Sequence, residues 1–224
     1  MMQKIKIKAA VLQKVNNNLN IKNIYHDNIL TNDQILVKIV YSGICGSQLG
    51  EIKGVKGVDK YLPHLLGHEA TGIIQRTSKN ILDFKKNDKV ILHWQKNSMK
   101  NSNTPKYYDE ELKKINAGWL TTFNSHAVVS KNRVSKLPKQ LSMKKGILFG
   151  CSLTTAYGSI FKDSKINLKS RSKLLVTGAG MIGQAIIALL YNQNQDIFVI
   201  ENNPKKINFI KKNYKKVKFI KDYK

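Results

Sequence analysis

Two cysteines and one histidine are the side chains of this sequence best suited to holding a metal. Cys45 stands in "SGICGSQLGEIKG", His68 in "LPHLLGHEATG" and Cys151 in "LFGCSLTTAYG". Two thiolates and an imidazole suit zinc, and a three-ligand set leaves a tetrahedral position open for water or a substrate oxygen. Each residue alone has a plainer reading. A lone cysteine is commonly a small core residue, and a lone histidine a hydrogen-bonded structural one. The three lie far apart in sequence, so spacing does not join them. On count alone Cys45 and Cys151 could also form a disulfide. In a cytosolic chain, metal binding or plain burial is the expectation.

A second chemistry is written in "LLVTGAGMIGQAIIALL", residues 174–190. An apolar strand, a glycine turn and an apolar helix follow one another, with Gly178, Gly180 and Gly183 in G-x-G-x-x-G spacing between strand and helix. Gly178 permits the tight turn, Gly180 lets backbone approach a pyrophosphate, and Gly183 lets helix and strand pack closely. The helix N-terminus offers free N–H groups and partial positive charge to phosphates. Glu201 ends the next apolar run. There its carboxylate can accept hydrogen bonds from the adenosine ribose hydroxyls and repel a 2′-phosphate, so NAD is expected over NADP. The alternative is that the glycines serve packing only and Glu201 is a solvated strand end.

These residues need elements to position them. Up to residue 135 the chain is rich in β-branched and apolar runs, at 34–45, 68–77, 89–94 and 123–130, separated by turn residues. That pattern predicts a compact, mostly β domain. The start, "MMQKIKIKAAVLQK", alternates lysine with apolar residues as a strand does, unlike a signal peptide. Residues 95–116 read as a polar surface excursion. From 141 to 161 the pattern turns helical, with Ser142 as N-cap and Leu148, Ala156 and Ile160 as apolar positions. After the polar connection 166–173 the order strand 174–176, helix 181–190, strand 196–201, helix 204–213 and strand 217–220 predicts a parallel sheet. Pro204 is placed for a first helical turn.

The formal charge is +25 with a pI of about 10, which raises nucleic acid or an anionic membrane as partner. Only Arg76, Arg133 and Arg171 are arginine, the residue preferred for bidentate phosphate and guanine recognition. The abundant Lys, Asn and Ile point instead to a coding-composition bias on tolerant surfaces. The expectation is no specific nucleic-acid partner, no membrane span and a cytoplasmic protein.

Taken together, the G-H-E segment, the glycine-flanked cysteine of "GICGS", the "GC" ahead of a helix and the late G-x-G-x-x-G occur in one family's order. The chain resembles the zinc-dependent, alcohol dehydrogenase type of the medium-chain dehydrogenase/reductase family along essentially all of its length. The resemblance implies an α/β protein: a β-rich, GroES-like catalytic domain at residues 1–163 and the first part of a Rossmann nucleotide-binding domain at 164–224. It implies Cys45, His68 and Cys151 as ligands of one catalytic zinc, Glu69 as a near-zinc carboxylate able to ligate transiently, and Ser47 as the hydroxyl that relays the alcohol proton. Thr155 matches a residue near the nicotinamide, and Trp94, beside His93, a substrate-pocket position, with core packing as the alternative for Trp94. The implied activity is NAD(P)-linked oxidation of an alcohol or polyol, with an alcohol or aldehyde as small-molecule substrate and a homo-oligomer in full-length members.

The departures are specific. Gln48 stands where the family has an aspartate that orients the histidine ligand, and Gly50 where some members end the proton relay with a histidine. The four-cysteine structural zinc lobe is absent, so one zinc is the expected ceiling. The resemblance also implies a chain that stops before half of the nucleotide sheet, hence a fragment or truncated form with little activity alone. The alternatives carried are a non-catalytic zinc-binding remnant and a basic nucleic-acid-binding protein.

Overall fold

The computed structural model describes residues 4–164 and 166–220; the first three residues of the lysine–apolar alternation lie outside them. The chain divides into two compact units, Met1–Cys151 and Ser152–Lys224. The resemblance implies a boundary at 163/164. The units part earlier because the helix beginning at Ser152 packs on the helix after the glycine turn.

In chain order the first unit contains β1 (Ile5–Leu12), β2 (Asn20–His26), β3 (Gln34–Ser42), α1 (Gly46–Ile52), β4 (His64–Leu65), β5 (Ala70–Thr77), β6 (Lys89–Leu92), β7 (Tyr107–Tyr108), β8 (Lys114–Ile115), β9 (His126–Ser130), β10 (Val134–Lys136) and α2 (Met143–Gly146). They form two five-stranded sheets, β4-β1-β2-β7-β8 and β10-β6-β5-β3-β9, whose strand pairs are antiparallel. The expected β-rich domain is therefore present. Val37, Ala70, Ile74, Val90, Leu92 and Val129 form the core of the second sheet, and Ile7, Val11, Ile24 and Ile115 that of the first.

Residues 95–116 are more than a surface excursion. They contribute the β7–β8 hairpin, and Tyr107 is fully buried. Its hydroxyl accepts the N–H of Val128 at 2.9 Å, closing a backbone donor on the edge strand β9. Burial pushes the Tyr107 phenol well above its ordinary value. Two-residue strands carry no readable period, which is why the hairpin is hidden in the sequence. Tyr107→Phe is expected to strand that N–H in the core and cost about 1–3 kcal/mol. The check is a lower denaturant midpoint at unchanged slope.

The helical stretch is also divided. Ser142 caps α2 as expected, accepting Lys145 N–H at 3.3 Å. A 3-10 turn at Ile147–Gly150 follows, and Cys151, at φ −145° and ψ −69°, breaks the helix. Leu148, expected on an apolar stripe, is exposed, whereas Ala156 and Ile160 are buried.

The second unit runs α3 (Ser152–Gly158), a π-helical turn (Ser159–Asp163), β11 (Lys173–Thr177), α4 (Met181–Leu190), β12 (Asp196–Ile200), α5 (Pro204–Asn213) and β13 (Lys218–Phe219). Its sheet, β11-β12-β13, is parallel, as the alternation of strands and helices requires. Val176, Ile187, Leu190, Ile197, Val199 and Ile210 form its core. Asn203 caps α5 by accepting Lys205 and Lys206 N–H, with Pro204 in the first turn. Among the described residues no helix is long and apolar enough to cross a membrane.

Candidate functional site

Strand pairing joins what sequence spacing leaves apart. β3 and β5 are antiparallel with Ser42 opposite Ala70, and Gly43 N–H donates to Glu69 O at 3.0 Å. Cys45, three residues after Ser42, and His68, two before Ala70, therefore emerge at the same end of the sheet. β6 lies on the other side of β5, with Leu92 opposite Ala70, and Trp94 N–H donates to Gly150 O at 3.1 Å. That bond ties the turn before Cys151 to the same end. Two neighbouring strands and a turn tied to a third thus bring three candidate ligands together from three distant stretches of chain.

The ligand atoms of Cys45, His68 and Cys151 all lie within 4.8 Å of one another. Neither cysteine is in a disulfide, and their sulfurs stand 3.9 Å apart. A disulfide needs about 2.05 Å. Two sulfurs on one tetrahedral zinc, each at about 2.3 Å, stand roughly 3.8 Å apart. His68 Nε2 is buried without a hydrogen-bond partner, a costly state that a metal would relieve. Burial and, secondarily, Lys56 hold the His68 imidazole below its ordinary pKa, which favours the neutral form a metal needs. The residues present fit zinc.

Close packing holds the set in place. Gly67 has φ +90°, and a Cβ there would meet Thr122 Oγ1 at 2.3 Å, so the turn into His68 requires glycine. A Cβ on Gly43 or Gly150 would meet Glu69 at 2.7 Å. These two glycines make room for the Glu69 side chain, and the sequence had signalled them only as neighbours of the cysteines. Glu69 is buried, which pushes its carboxyl above the usual range; it is not part of the three-ligand cluster. Ser47 is exposed at the start of α1 and its hydroxyl donates to Cys45 Sγ at 3.4 Å. Gln48 is buried; its Oε1 accepts Gly67 N–H and its Nε2 donates to Glu51 at 3.2 Å. The glutamine thus steadies the backbone beside His68. Trp94 is 43% exposed, which removes the core-packing alternative. His93 faces Gln95 O and Ser135 Oγ.

Thr155 lies half-buried on α3 of the second unit. In that unit Gly178 has φ +83°, the left-handed turn conformation expected of it. A Cβ on Gly183 would stand 2.0 Å from Gly178 O, so close packing of helix on turn demands glycine there. Gly180 is different: it precedes α4 with φ −72°, and a Cβ would meet nothing within 4 Å. Positive φ accounts for Gly178 and packing for Gly183, and neither accounts for Gly180.

Glu201 has a role that the sequence did not disclose. Its Oε2 accepts Ala179 N–H at 2.7 Å, its Oε1 accepts Asn202 and Asn203 N–H at 2.9 Å, and Lys206 Nζ stands 3.5 Å away. The side chain is 5% exposed. The N–H groups of Asn203 and Ala179 hold its carboxyl below the usual range. A lowered folded value contributes stability above the unfolded value of 4.5, lost as pH falls through the folded one. Glu201→Gln is expected to destabilise the second unit by about 1–3 kcal/mol near neutral pH. In unfolding curves taken against pH, the gap from the unsubstituted protein should shrink in acid.

Residues 31–139 match the family described as the alcohol dehydrogenase GroES-like domain. Among solved structures, benzyl alcohol dehydrogenase from Acinetobacter calcoaceticus superposes with a TM-score of 0.78 at 20% identity, over 96% of this chain and 64% of that one. An alcohol dehydrogenase zinc-binding domain protein from Burkholderia ambifaria gives 0.78 at 17%, over 92% and 62%. CAD from Helicobacter pylori, complexed with NADP(H), gives 0.75 at 19%, over 97% and 64%. The chain spans 62–64% of the length of these three structures.

Proposed function

We propose, for a chain whose residues 31–139 match the alcohol dehydrogenase GroES-like domain, membership of that family and a zinc-dependent, NAD-linked oxidation of an alcohol or polyol. The observation that carries this reading is the buried, partnerless His68 Nε2 beside two cysteine sulfurs, not disulfide-bonded, at a tetrahedral-zinc separation. Zinc held by Cys45, His68 and Cys151 would act as a Lewis acid that lowers the pKa of an alcohol hydroxyl. Ser47 passes the released proton outward: its hydroxyl sits 3.4 Å from Cys45 Sγ and is open to solvent. Glu69, buried between Gly43 and Gly150, is assigned as the near-zinc carboxylate that would ligate transiently. Thr155 is assigned to the nicotinamide side.

The glycine turn is assigned to the dinucleotide. Phosphate oxygens meet the free N–H groups at the start of α4, and Gly180 leaves the space they need. NAD is favoured because Glu201 sets a carboxylate at the end of β12, where a 2′-phosphate would be repelled. Calorimetric titration is expected to give weaker binding of NADP than of NAD, and Glu201→Gln to narrow that difference. Tighter NADP binding by the unsubstituted chain would refute the role given to Glu201. Slow turnover of the chain alone is part of the proposal, because the described nucleotide unit has only three strands to hold the coenzyme. An NADH absorbance assay with primary alcohols, secondary alcohols and polyols tests it, and turnover of about 1–1000 per second would refute it.

A further inference from the structure

Glu51, Asp59 and His64 form a second group of potential ligands in the first unit, with ligand atoms that all lie within 4.8 Å of one another. Glu51 comes from the end of α1, Asp59 from the loop after it and His64 from β4. His64 is 6% exposed. Its Nδ1 is 3.1 Å from Leu65 O and its Nε2 2.7 Å from Asp59 Oδ2. Asp59 Oδ1 is engaged separately, accepting Tyr61 N–H at 2.9 Å. A neutral imidazole has one N–H and one lone pair. Whichever tautomer His64 takes, a buried lone pair is then set against an oxygen. A cation at Nε2 removes that conflict, as a second proton or as a metal ion.

Glu51 decides between them. Its Oε2 accepts from Gln48 Nε2 at 3.2 Å, while its Oε1 stands 4.0 Å from the same His64 Nε2. One proton on Nε2 serves Asp59 and is too far away to serve Glu51. A metal ion can ligate all three. The chain has 39 lysines and arginines against 14 acidic residues, yet among the described residues neither Glu51 nor Asp59 pairs with one; both face His64. Ligand atoms at about 2.1 Å from one ion stand roughly 3.0 Å apart at a right angle and roughly 3.4 Å apart at the tetrahedral angle. The 2.7 Å between Nε2 and Oδ2 suits adjacent octahedral positions. Glu51 and Tyr61 line both a cavity of about 520 Å³, with His64 in its wall, and one of about 260 Å³, with Asp59 in its wall. The cluster thus lies where water can fill the remaining positions.

We propose that Glu51, Asp59 and His64 hold a second, exchangeable divalent cation of the manganese(II) kind, six-coordinate with water in its other positions. One nitrogen and two carboxylate oxygens without sulfur suit such an ion better than the thiolate-rich centre at Cys45 and Cys151 would. Lys56 and Lys60 line the smaller cavity, and their charge lowers the affinity, so the ion is gained and lost with its concentration in solution. Its role is structural. Gln48 carries the cluster on toward His68, since its Nε2 donates to Glu51 and its Oε1 accepts Gly67 N–H. A cation here pins α1, the following loop and β4 together beside the turn into His68. The inference is independent of the dehydrogenase reading.

The test is titration of the zinc-treated chain with manganese(II) chloride, with free manganese read by electron paramagnetic resonance and zinc by elemental analysis. One equivalent of manganese is expected to bind without release of zinc, to broaden the amide signals of Glu51, Asp59 and His64, and to raise the unfolding midpoint as the site fills. Glu51→Gln and Asp59→Asn, which keep the size, should each weaken manganese roughly tenfold or more. Glu111→Gln, on the exposed turn between β7 and β8, should leave it unchanged. The broadening is read on the unsubstituted chain, so it decides even where a variant fails to fold. No bound manganese would overturn the proposal and leave His64 as an imidazolium beside two carboxylates. Broadening elsewhere, undiminished binding in either folded variant, or zinc released in step with manganese uptake would overturn it too. A chain that takes up no zinc but binds one manganese at this cluster would sink the dehydrogenase reading and leave the second site standing.

Discussion

Purified without chelator, the chain is expected to carry one zinc ion, and a Cys45→Ser, Cys151→Ser double variant to carry none. Thiolates are the soft ligands that select zinc, and these are the chain's two cysteines. Removing both leaves His68 as the sole member of the cluster, too little to hold the ion at a useful affinity. Zinc binding in such sites is coupled to folding, so the double variant should also unfold at lower denaturant. Elemental analysis separates the outcomes: occupancy near one falling to background supports the site, and zinc retained undiminished in the variant contradicts it. Alkylation of unreduced protein followed by mass spectrometry supplies the companion result. Both thiols are expected to be free once metal is removed, whereas a stoichiometric Cys45–Cys151 disulfide would remove the ligands altogether.

Gly183→Ala and Gly180→Ala are expected to part company. In α4 an alanine would ordinarily gain about 1 kcal/mol of helix propensity over glycine. At Gly183 the added Cβ would stand 2.0 Å from Gly178 O, a backbone atom that cannot swing aside. The clash outweighs the propensity, and a net loss of about 1–3 kcal/mol is expected. Hydrogen exchange of the β11 and α4 amides would report it as loss of protection in the second unit. At Gly180 the added Cβ meets nothing within 4 Å and φ is −72°, so stability should move by no more than about 0.5 kcal/mol. The same methyl group would stand where backbone approaches the pyrophosphate, and NAD affinity should fall roughly tenfold or more. A Gly180→Ala chain with undiminished NAD affinity would reduce the motif to a packing device.

The second unit was readable because local rules and tertiary packing agree there. The predicted bounds of α4 and α5, 181–190 and 204–213, match the observed ones. Apolar period, glycine turn and Pro204 mark those ends within the chain itself, and the Asn203 cap agrees with them. The first unit was readable in class but less so in detail. β7 and β8 are two residues long and declare themselves only through the buried Tyr107 and Ile115. The turn before Cys151 packs on distant residues, since a Cβ on Gly150 would meet Leu92 O at 2.6 Å and Glu69 at 2.7 Å.

The candidate site follows the same division. Cys45, His68 and Cys151 were nameable by type and by resemblance, but what unites them is the pairing of β3, β5 and β6. Pairing is a long-range property that no window of sequence displays. Glu201 was recognised by position, yet its hold on the glycine turn depends on a contact across 22 residues. Glu51, Asp59 and His64 went unremarked because a polar cluster built from a helix, a loop and a two-residue strand has no spacing rule.

Cobalt(II) substitution tests the central claim most directly. Tetrahedral cobalt bound by two thiolates and an imidazole should give strong visible d–d bands with thiolate-to-metal charge transfer in the near ultraviolet. Those bands should appear at one equivalent, weaken in Cys45→Ser and in Cys151→Ser, and shift when an alcohol enters the open position. The weak, pale spectrum of octahedral cobalt, without charge transfer and indifferent to either cysteine, would contradict the assignment of Cys45, His68 and Cys151 as the metal centre.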